Sequence, residues 1–123
     1  MSLLARLATW MPFGRVPEVS ARDLWSELQG ERGPLIVDVR THAEWEQSRI
    51  AGALSVSLPT LPESLASLEL HRDRKVVTIC LSAHRSIAAV RLLREHGFAD
   101  ARQLRGGMLA WWAQGLPTEK GPA

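Results

Sequence analysis

Cysteine is nearly absent from this chain, because Cys80 is the only one among its 123 residues. A single cysteine excludes an intramolecular disulfide framework and a zinc site built from several cysteines. Long apolar runs are also missing, and no stretch reaches the length of a membrane span. No small-residue cleavage site follows a suitable apolar segment. We therefore expect a cytoplasmic protein, in a reducing compartment that keeps its one thiol available.

A large excess of one sign of charge is absent as well. The net charge of +2 and the pI of about 9.3 are only mildly basic, and the thirteen arginines are interleaved with acids. This pattern predicts a solvated mixed surface and no nucleic-acid partner. There is no internal repeat and no low-complexity tract. A chain of 123 residues with 46% hydrophobic content fits one buried core but hardly two.

Short apolar strands alternate with helical patterns along the chain, which predicts an α/β fold with a parallel sheet rather than a sandwich. We expect Trp45 and Trp111 in the core and Trp112 partly exposed beside them. The predicted strands cover residues 17–19, 35–39, 53–58, 75–80 and 102–104, and the predicted helices cover 21–30, a short segment after Thr41, 59–70, 86–96 and 107–114.

Two helix starts carry capping signals. Ser20 is followed three residues later by Asp23, and Thr41 is followed at the same spacing by Glu44. A serine or threonine with an acid three residues on satisfies backbone N–H groups that the first helical turn leaves free. We therefore expect a helix to begin after each of them.

The first fifteen residues have an amphipathic helical pattern that ends at Pro12. Its apolar side could pack on its own domain, pair with a second copy of the chain or lie on a membrane surface. A single arginine attracts anionic lipid poorly, so packing within the chain or in a homodimer is favoured over a membrane. The apolar side holds Leu3, Leu4, Leu7, Trp10 and Met11.

Cys80 ends an apolar run and stands directly before a small polar loop and a helical pattern that starts near Ser86. The thiolate is the reactive form of cysteine and must be stabilised at neutral pH. Free N–H groups at a helix N-terminus and the positive charge of Arg85 both favour an anionic sulfur. The pattern indicates a catalytic cysteine. The alternative is a buried and inert thiol, which is common among free cysteines.

Four short motifs resemble those of the rhodanese family, in that family's order and spacing. The resemblance covers roughly residues 16–117 of the chain. The family's active-site loop is Cys-x-x-Gly-x-Arg-Ser. Its other three motifs are Asp-Val-Arg followed by Glu-aromatic, then Ile-x-Gly-Ala, and finally Gly-Gly-x-x-x-Trp. In this chain they appear as Cys80 to Ser86, Asp38-Val39-Arg40 with Glu44-Trp45, Ile50-Ala51-Gly52-Ala53, and Gly106-Gly107 with Trp111.

The resemblance implies a central, mostly parallel five-stranded sheet flanked by helices. It divides the chain into the N-terminal helix and connector at 1–15, the rhodanese domain at 16–117 and a C-terminal tail at 118–123. It also implies a thiosulfate sulfurtransferase-like activity. Cys80 would take a sulfane sulfur from thiosulfate or a persulfide, hold it as a persulfide and pass it to a thiol or cyanide. We expect no cofactor and no metal.

The resemblance assigns the remaining roles to the loop after Cys80. Its backbone amides would cradle the charge of the persulfide; the loop comprises Leu81, Ser82, Ala83, His84, Arg85 and Ser86. Parallel sheets place their sites beyond the carboxyl ends of the strands, where Asp38 and Arg40 also lie. Arg85 would hold the loop or the anionic sulfur, or form a salt bridge, for which Asp38 is the candidate partner. Asp38 could equally satisfy backbone amides, and Arg40 could assist an anionic donor or be a surface charge.

Three side chains of the loop keep alternative interpretations. His84 could titrate near neutral pH and tune Cys80, although an orientation towards solvent is favoured. The Ser82 and Ser86 hydroxyls could hydrogen-bond the persulfide. For Ser86 the alternative is to cap the helix that follows.

The chain departs from the family pattern at three places. Ala83 replaces a glycine, which costs on the order of 1 kcal/mol if its φ is positive. Leu81 stands where relatives that use thiosulfate often have a basic residue, so a persulfide on a small thiol or on a partner protein is the favoured donor. Ser48-Arg49 replaces Gly-His, which we expect to change a turn rather than the site.

Two other functions remain as alternatives. Related phosphatase and arsenate-reductase loops place five residues between cysteine and arginine, whereas four separate Cys80 from Arg85. The shorter ring favours a sulfur atom over a tetrahedral oxyanion. A non-catalytic rhodanese-like binding or regulatory module is the second alternative. Such a module would not need the thiol, and sulfur transfer is therefore favoured.

Overall fold

The computed structural model describes residues 14–68 and 71–122 of the chain. Within them, five strands form one sheet in the order β1-β5-β4-β2-β3, and every neighbouring pair is parallel. The predicted α/β fold with a five-stranded sheet is confirmed, and the sheet is wholly parallel rather than mostly so. The strands are β1 (Glu18–Val19), β2 (Leu35–Asp38), β3 (Leu54–Ser55), β4 (Val76–Ile79) and β5 (Ala101–Leu104).

In the described residues, four α-helices connect successive strands and a fifth follows β5, and together they cover the sheet. They are α1 (Ala21–Leu28), α2 (His42–Gln47), α3 (Leu61–Leu68), α4 (His84–Glu95) and α5 (Gly107–Ala113), with a 3₁₀ turn at Leu58–Thr60 before α3. In the part of the chain that the structure describes, no helix is both long enough and apolar enough to cross a bilayer.

The two faces of the sheet bury separate apolar clusters, because successive strand residues point to opposite sides. In β4, Val76 lies in the cluster under α3 and α4, and Val77 lies in the cluster under α1 and α5. Fully burying a leucine such as Leu93 stabilises the fold by roughly 1.5–3 kcal/mol. The predictions for tryptophan are confirmed: Trp45 and Trp111 are buried and Trp112 is 39% exposed.

Several element boundaries differ from the prediction. β3 contains two residues instead of the whole of 53–58. Residues 56 and 58 still donate backbone hydrogen bonds to the end of β2, but the chain enters the 3₁₀ turn at Leu58. α4 begins at His84, two residues before the predicted start, because Ala83 serves as its N-cap.

The amphipathic helix predicted for the N-terminus lies outside the described residues, so it stays a prediction. The division of the chain at residues 15 and 117 also stays a prediction. One finding bears on the C-terminal segment. Arg49 and Glu119 form an antiparallel bridge, which joins the chain after residue 117 to the end of α2.

Both capping predictions are confirmed. The Ser20 side chain accepts a hydrogen bond from the Asp23 backbone N–H at 3.1 Å. Thr41 and Glu44 form a complete capping box at the start of α2. α2 is short, so its position depends on this cap and on the burial of Trp45.

We expect Ser20→Ala to lower the free energy of unfolding by about 1 kcal/mol, because it leaves a first-turn N–H without its partner. Chemical denaturation measures the change. Ser26→Ala is the matched control, since Ser26 is exposed within the same helix and its side chain caps nothing. Equal losses in the two variants would contradict the assigned cap.

Candidate functional site

The site begins where β2 and β4 end side by side. Asp38 is the register partner of Ile79, and the Val39 N–H donates to the Ile79 carbonyl oxygen at 2.8 Å. Cys80 directly follows the last residue of β4, and Arg40 lies two residues beyond Asp38. The predicted meeting of these segments at the carboxyl edge of the sheet is therefore observed.

Cys80 is buried at the start of the loop, and only 1% of the residue is exposed. The Ala83 backbone N–H donates to Cys80 Sγ at 2.8 Å. Among the loop amides predicted to cradle a sulfur charge, this is the one in contact with Sγ. The amide belongs to the N-cap of α4, so the positive end of that helix faces the sulfur.

The start of α5 fixes the loop from the other side. The Met108 N–H donates to the Cys80 carbonyl oxygen at 2.8 Å, and the Leu109 N–H donates to the Leu81 carbonyl oxygen at 3.1 Å. Gly107 permits this approach, because a Cβ there would lie 2.3 Å from the Cys80 oxygen. The late Gly-Gly-x-x-x-Trp motif thus supports the cysteine loop directly.

Ala83 has a φ of 101°, and among the described residues it is the only non-glycine with a positive φ. An L-residue in this region is strained by on the order of 1–2 kcal/mol. The same backbone conformation directs the Ala83 N–H at the sulfur. The strain therefore belongs to the geometry of the site rather than to an unrelated turn.

Arg85 binds Glu44 and not Asp38, so the salt bridge considered from the sequence is wrong in its partner. Arg85 Nη1 and Nη2 lie 2.7 Å and 3.0 Å from the two Glu44 carboxylate oxygens. Hydrogen bonding to Arg85 lowers the pKa of Glu44 to about 2, with further help from Thr41. The pKa of Arg85 is raised, first by this hydrogen bond and then by the negative charges of Glu44, Cys80 and Asp38.

Arg40 is neither a surface charge nor an open anion-binding group. It is 2% exposed, and its Nη2 lies 2.8 Å from Asp38 Oδ2. It also donates to the Ser48 carbonyl oxygen at 2.6 Å. Asp38 accepts the backbone N–H of Arg40 at 3.1 Å, as one interpretation of the sequence expected. The pair ties the end of β2 to the end of α2, and removing either partner alone would leave a costly buried charge.

Sequence reasoning missed Arg49, which was expected only to change a turn. Its guanidinium lies over the Trp45 ring at 3.8 Å from the centroid, and the residue is 6% exposed. It also donates to Glu119 Oε1 at 3.1 Å and to the Gly121 carbonyl oxygen at 2.6 Å. The spacing of four residues between Trp45 and Arg49 was the available signal. Arg49 therefore anchors the C-terminal segment to α2.

The polar loop side chains separate into two groups. His84 and Ser82 are exposed, and the favoured orientation of His84 towards solvent agrees with this. Ser86 is fully buried in the first turn of α4. Its hydroxyl has no hydrogen-bond partner in the part of the chain that the structure describes, so it is not the helix cap. Residues 14–68 and 71–122 contain no group of three metal-ligating side chains placed to hold an ion.

This arrangement defines a class of protein: a single parallel α/β domain that holds a thiol in a loop between a strand and a helix. The rhodanese-like domain family matches residues 20–114, and the chain belongs to that family.

Relatives of similar length are named for sulfur transfer. A sulfurtransferase of Allochromatium vinosum is 36% identical, over 83% of this chain and 94% of its own length. A putative sulfurtransferase of Bacillus subtilis is 28% identical, over 83% of this chain and 96% of its own length. Other relatives are longer, and the chain spans only 25% to 38% of them.

The fold agrees with a solved relative. The solution structure of a rhodanese-like domain from Anabaena sp. is 33% identical and superposes with a TM-score of 0.77. The superposition covers 86% of this chain and 80% of that one.

We expect Ala83→Gly to be at least as stable as the parent, because relief of strain offsets the greater freedom of glycine in the unfolded chain. Ala43→Gly is the matched control at an exposed position within helix α2, and it should cost about 1 kcal/mol. Thermal and chemical denaturation measure both variants. The same loss in both would contradict a strained Ala83.

We expect Glu44→Gln to weaken the fold in a pH-dependent way. Because folding lowers the pKa of Glu44 from 4.5 to about 2, the stabilisation is complete above pH 4.5 and is lost as the pH falls towards 2. The difference in unfolding free energy between parent and variant should therefore shrink over that window. Glutamine still suits the capping box, so the ion pair is what changes. A difference that is constant with pH would contradict the assignment.

Proposed function

We propose that Cys80 carries a sulfane sulfur as a persulfide and transfers it from a small donor to a thiol acceptor. Membership of the rhodanese-like family and its sulfurtransferase relatives supports this reaction class. The observation on which the assignment to Cys80 rests is the 2.8 Å contact between the Ala83 N–H and Cys80 Sγ at the start of α4. An amide donor fixed by the fold stabilises negative charge on sulfur without rearrangement.

The reaction has two displacement steps. In the first, the Cys80 thiolate attacks the outer sulfur of the donor, and the bond between the donor's two sulfur atoms breaks. Its electron pair leaves with sulfite, from thiosulfate, or with a thiolate, from a persulfide. In the second, an acceptor thiolate or cyanide attacks the outer sulfur of the Cys80 persulfide and releases the Cys80 thiolate. Splitting the transfer in this way predicts ping-pong kinetics.

The shape of the loop also supports a single-atom cargo. The Cys80 sulfur is buried, four residues separate it from Arg85, and α4 has already begun at His84. A terminal sulfur atom needs less room above Sγ than a tetrahedral phosphate or arsenate. The loop therefore favours sulfur transfer over the phosphatase and arsenate-reductase alternatives.

The test is the intact mass of the protein after brief exposure to thiosulfate and, separately, to glutathione persulfide. We expect one added sulfur atom that cyanide or a thiol removes, and none in Cys80→Ser. Because Cys80 is the only cysteine, an added sulfur has no other thiol to occupy. No added sulfur from either donor, with the protein folded and Cys80 reduced, would reject the proposal and favour the non-catalytic binding module.

A further inference from the structure

Both arginines at the carboxyl ends of β2 and β4 already hold a carboxylate. Arg85 is paired with both oxygens of Glu44, and Arg40 is paired with Asp38. Arg40 is also almost completely buried. A dianionic donor such as thiosulfate would have to compete with these carboxylates for the two guanidinium groups. These two guanidinium groups therefore give a dianion little net attraction.

Several of the exposed side chains at the cysteine loop and on the helix that packs on it are apolar. Among the described residues, four large apolar side chains are exposed. Leu81 lies in the loop, and Leu109 and Trp112 lie on α5, the helix that is hydrogen-bonded to the loop; their exposures are 37%, 52% and 39%. Leu81 follows Cys80 directly. The Leu109 N–H donates a hydrogen bond to the carbonyl oxygen of Leu81. Trp112 lies three residues after Leu109, on the same side of α5. We call these three side chains the apolar rim.

Hydrogen bonds fix the position of Trp112 and of the start of α5, and so fix the apolar rim. Trp112 Nε1 donates to Ser48 Oγ at 3.0 Å, which fixes the indole against the end of α2. The two backbone bonds from Met108 and Leu109 fix α5 against the cysteine loop. A preorganised apolar surface can bind an organic group without first ordering itself.

We propose that the apolar rim binds the organic group of the sulfur donor, so that the preferred donors join their sulfane sulfur to an apolar group. This inference rests on the proposed function, since it needs Cys80 as the sulfur acceptor. With an aryl thiosulfonate, the Cys80 thiolate attacks the terminal sulfur, the bond between the two sulfur atoms breaks, and the electron pair leaves with the aryl sulfinate. The Cys80 persulfide that results is the same one that thiosulfate would form.

The experiment compares three donors: thiosulfate, methanethiosulfonate and benzenethiosulfonate. Thiocyanate formation with cyanide as acceptor gives kcat/KM for each, and the uncatalysed rates with cyanide correct for the reactivity of the donors themselves. We expect benzenethiosulfonate to exceed methanethiosulfonate by about tenfold after this correction. We expect thiosulfate to be the poorest donor of the three.

Variants assign the preference to the rim. Leu109→Gln should bring the corrected ratio of benzenethiosulfonate to methanethiosulfonate close to one. Leu54→Gln is the matched control, because Leu54 is 40% exposed on the edge strand β3 and should leave the ratio unchanged. Glu44→Gln should raise kcat/KM for thiosulfate several-fold, since it frees the Arg85 charge.

Three outcomes would overturn the inference: thiosulfate as the best donor, a corrected ratio near one in the parent, or equal ratios in the Leu109 and Leu54 variants. A thiosulfate rate unchanged by Glu44→Gln would contradict the argument from charge. These failures differ from failure of the proposed function. If every donor adds sulfur to Cys80 without discrimination, only the rim is rejected; if none adds sulfur, sulfur transfer itself is rejected.

Discussion

The ladder between β2 and β4 positions the rest of the site. Its register sets Asp38 level with Ile79, so the chain leaves both strands at the same height. The segment after β2 supplies Arg40 and Glu44, and the segment after β4 supplies Cys80 and Arg85. The Glu44–Arg85 ion pair then joins the two segments above the strand ends. A slip of one strand by one residue would turn that strand's side chains to the opposite face and separate these groups.

Glu44 connects local folding with the chemistry of the loop. One of its oxygens accepts the Thr41 backbone N–H and Arg85 Nη1, and the other accepts Arg85 Nη2. Glu44 therefore completes the cap of α2 and also reduces the positive charge that Arg85 presents to its surroundings. Because this helix cap also pairs with Arg85, the charge beside the cysteine loop depends on the integrity of a six-residue helix.

Local patterns in the sequence predicted local structure well. The strand before Cys80 and the caps at Ser20 and Thr41 follow from neighbouring residues, and all are present. The positive φ at Ala83 was considered only because the resembled family has a glycine at that position. Local sequence patterns could not predict which residues form ion pairs with each other. Arg85 lies 41 residues from Glu44 in sequence, so only the assembled sheet shows that the two meet. The burial of Arg49 was missed for the same reason, because its partners Glu119 and Gly121 are 70 and 72 residues away.

The bridge between Arg49 and the C-terminal segment fixes residues 119–121 against α2. Gly121 donates its N–H to the Glu46 carbonyl oxygen at 2.7 Å, while its own carbonyl oxygen accepts from Arg49. Mechanical load applied to the chain beyond this point would reach the domain through the helix that also contains Glu44. A protein or solid support coupled there would be joined to an ordered part of the domain beside α2, whereas a flexible linker would leave its distance from the domain free.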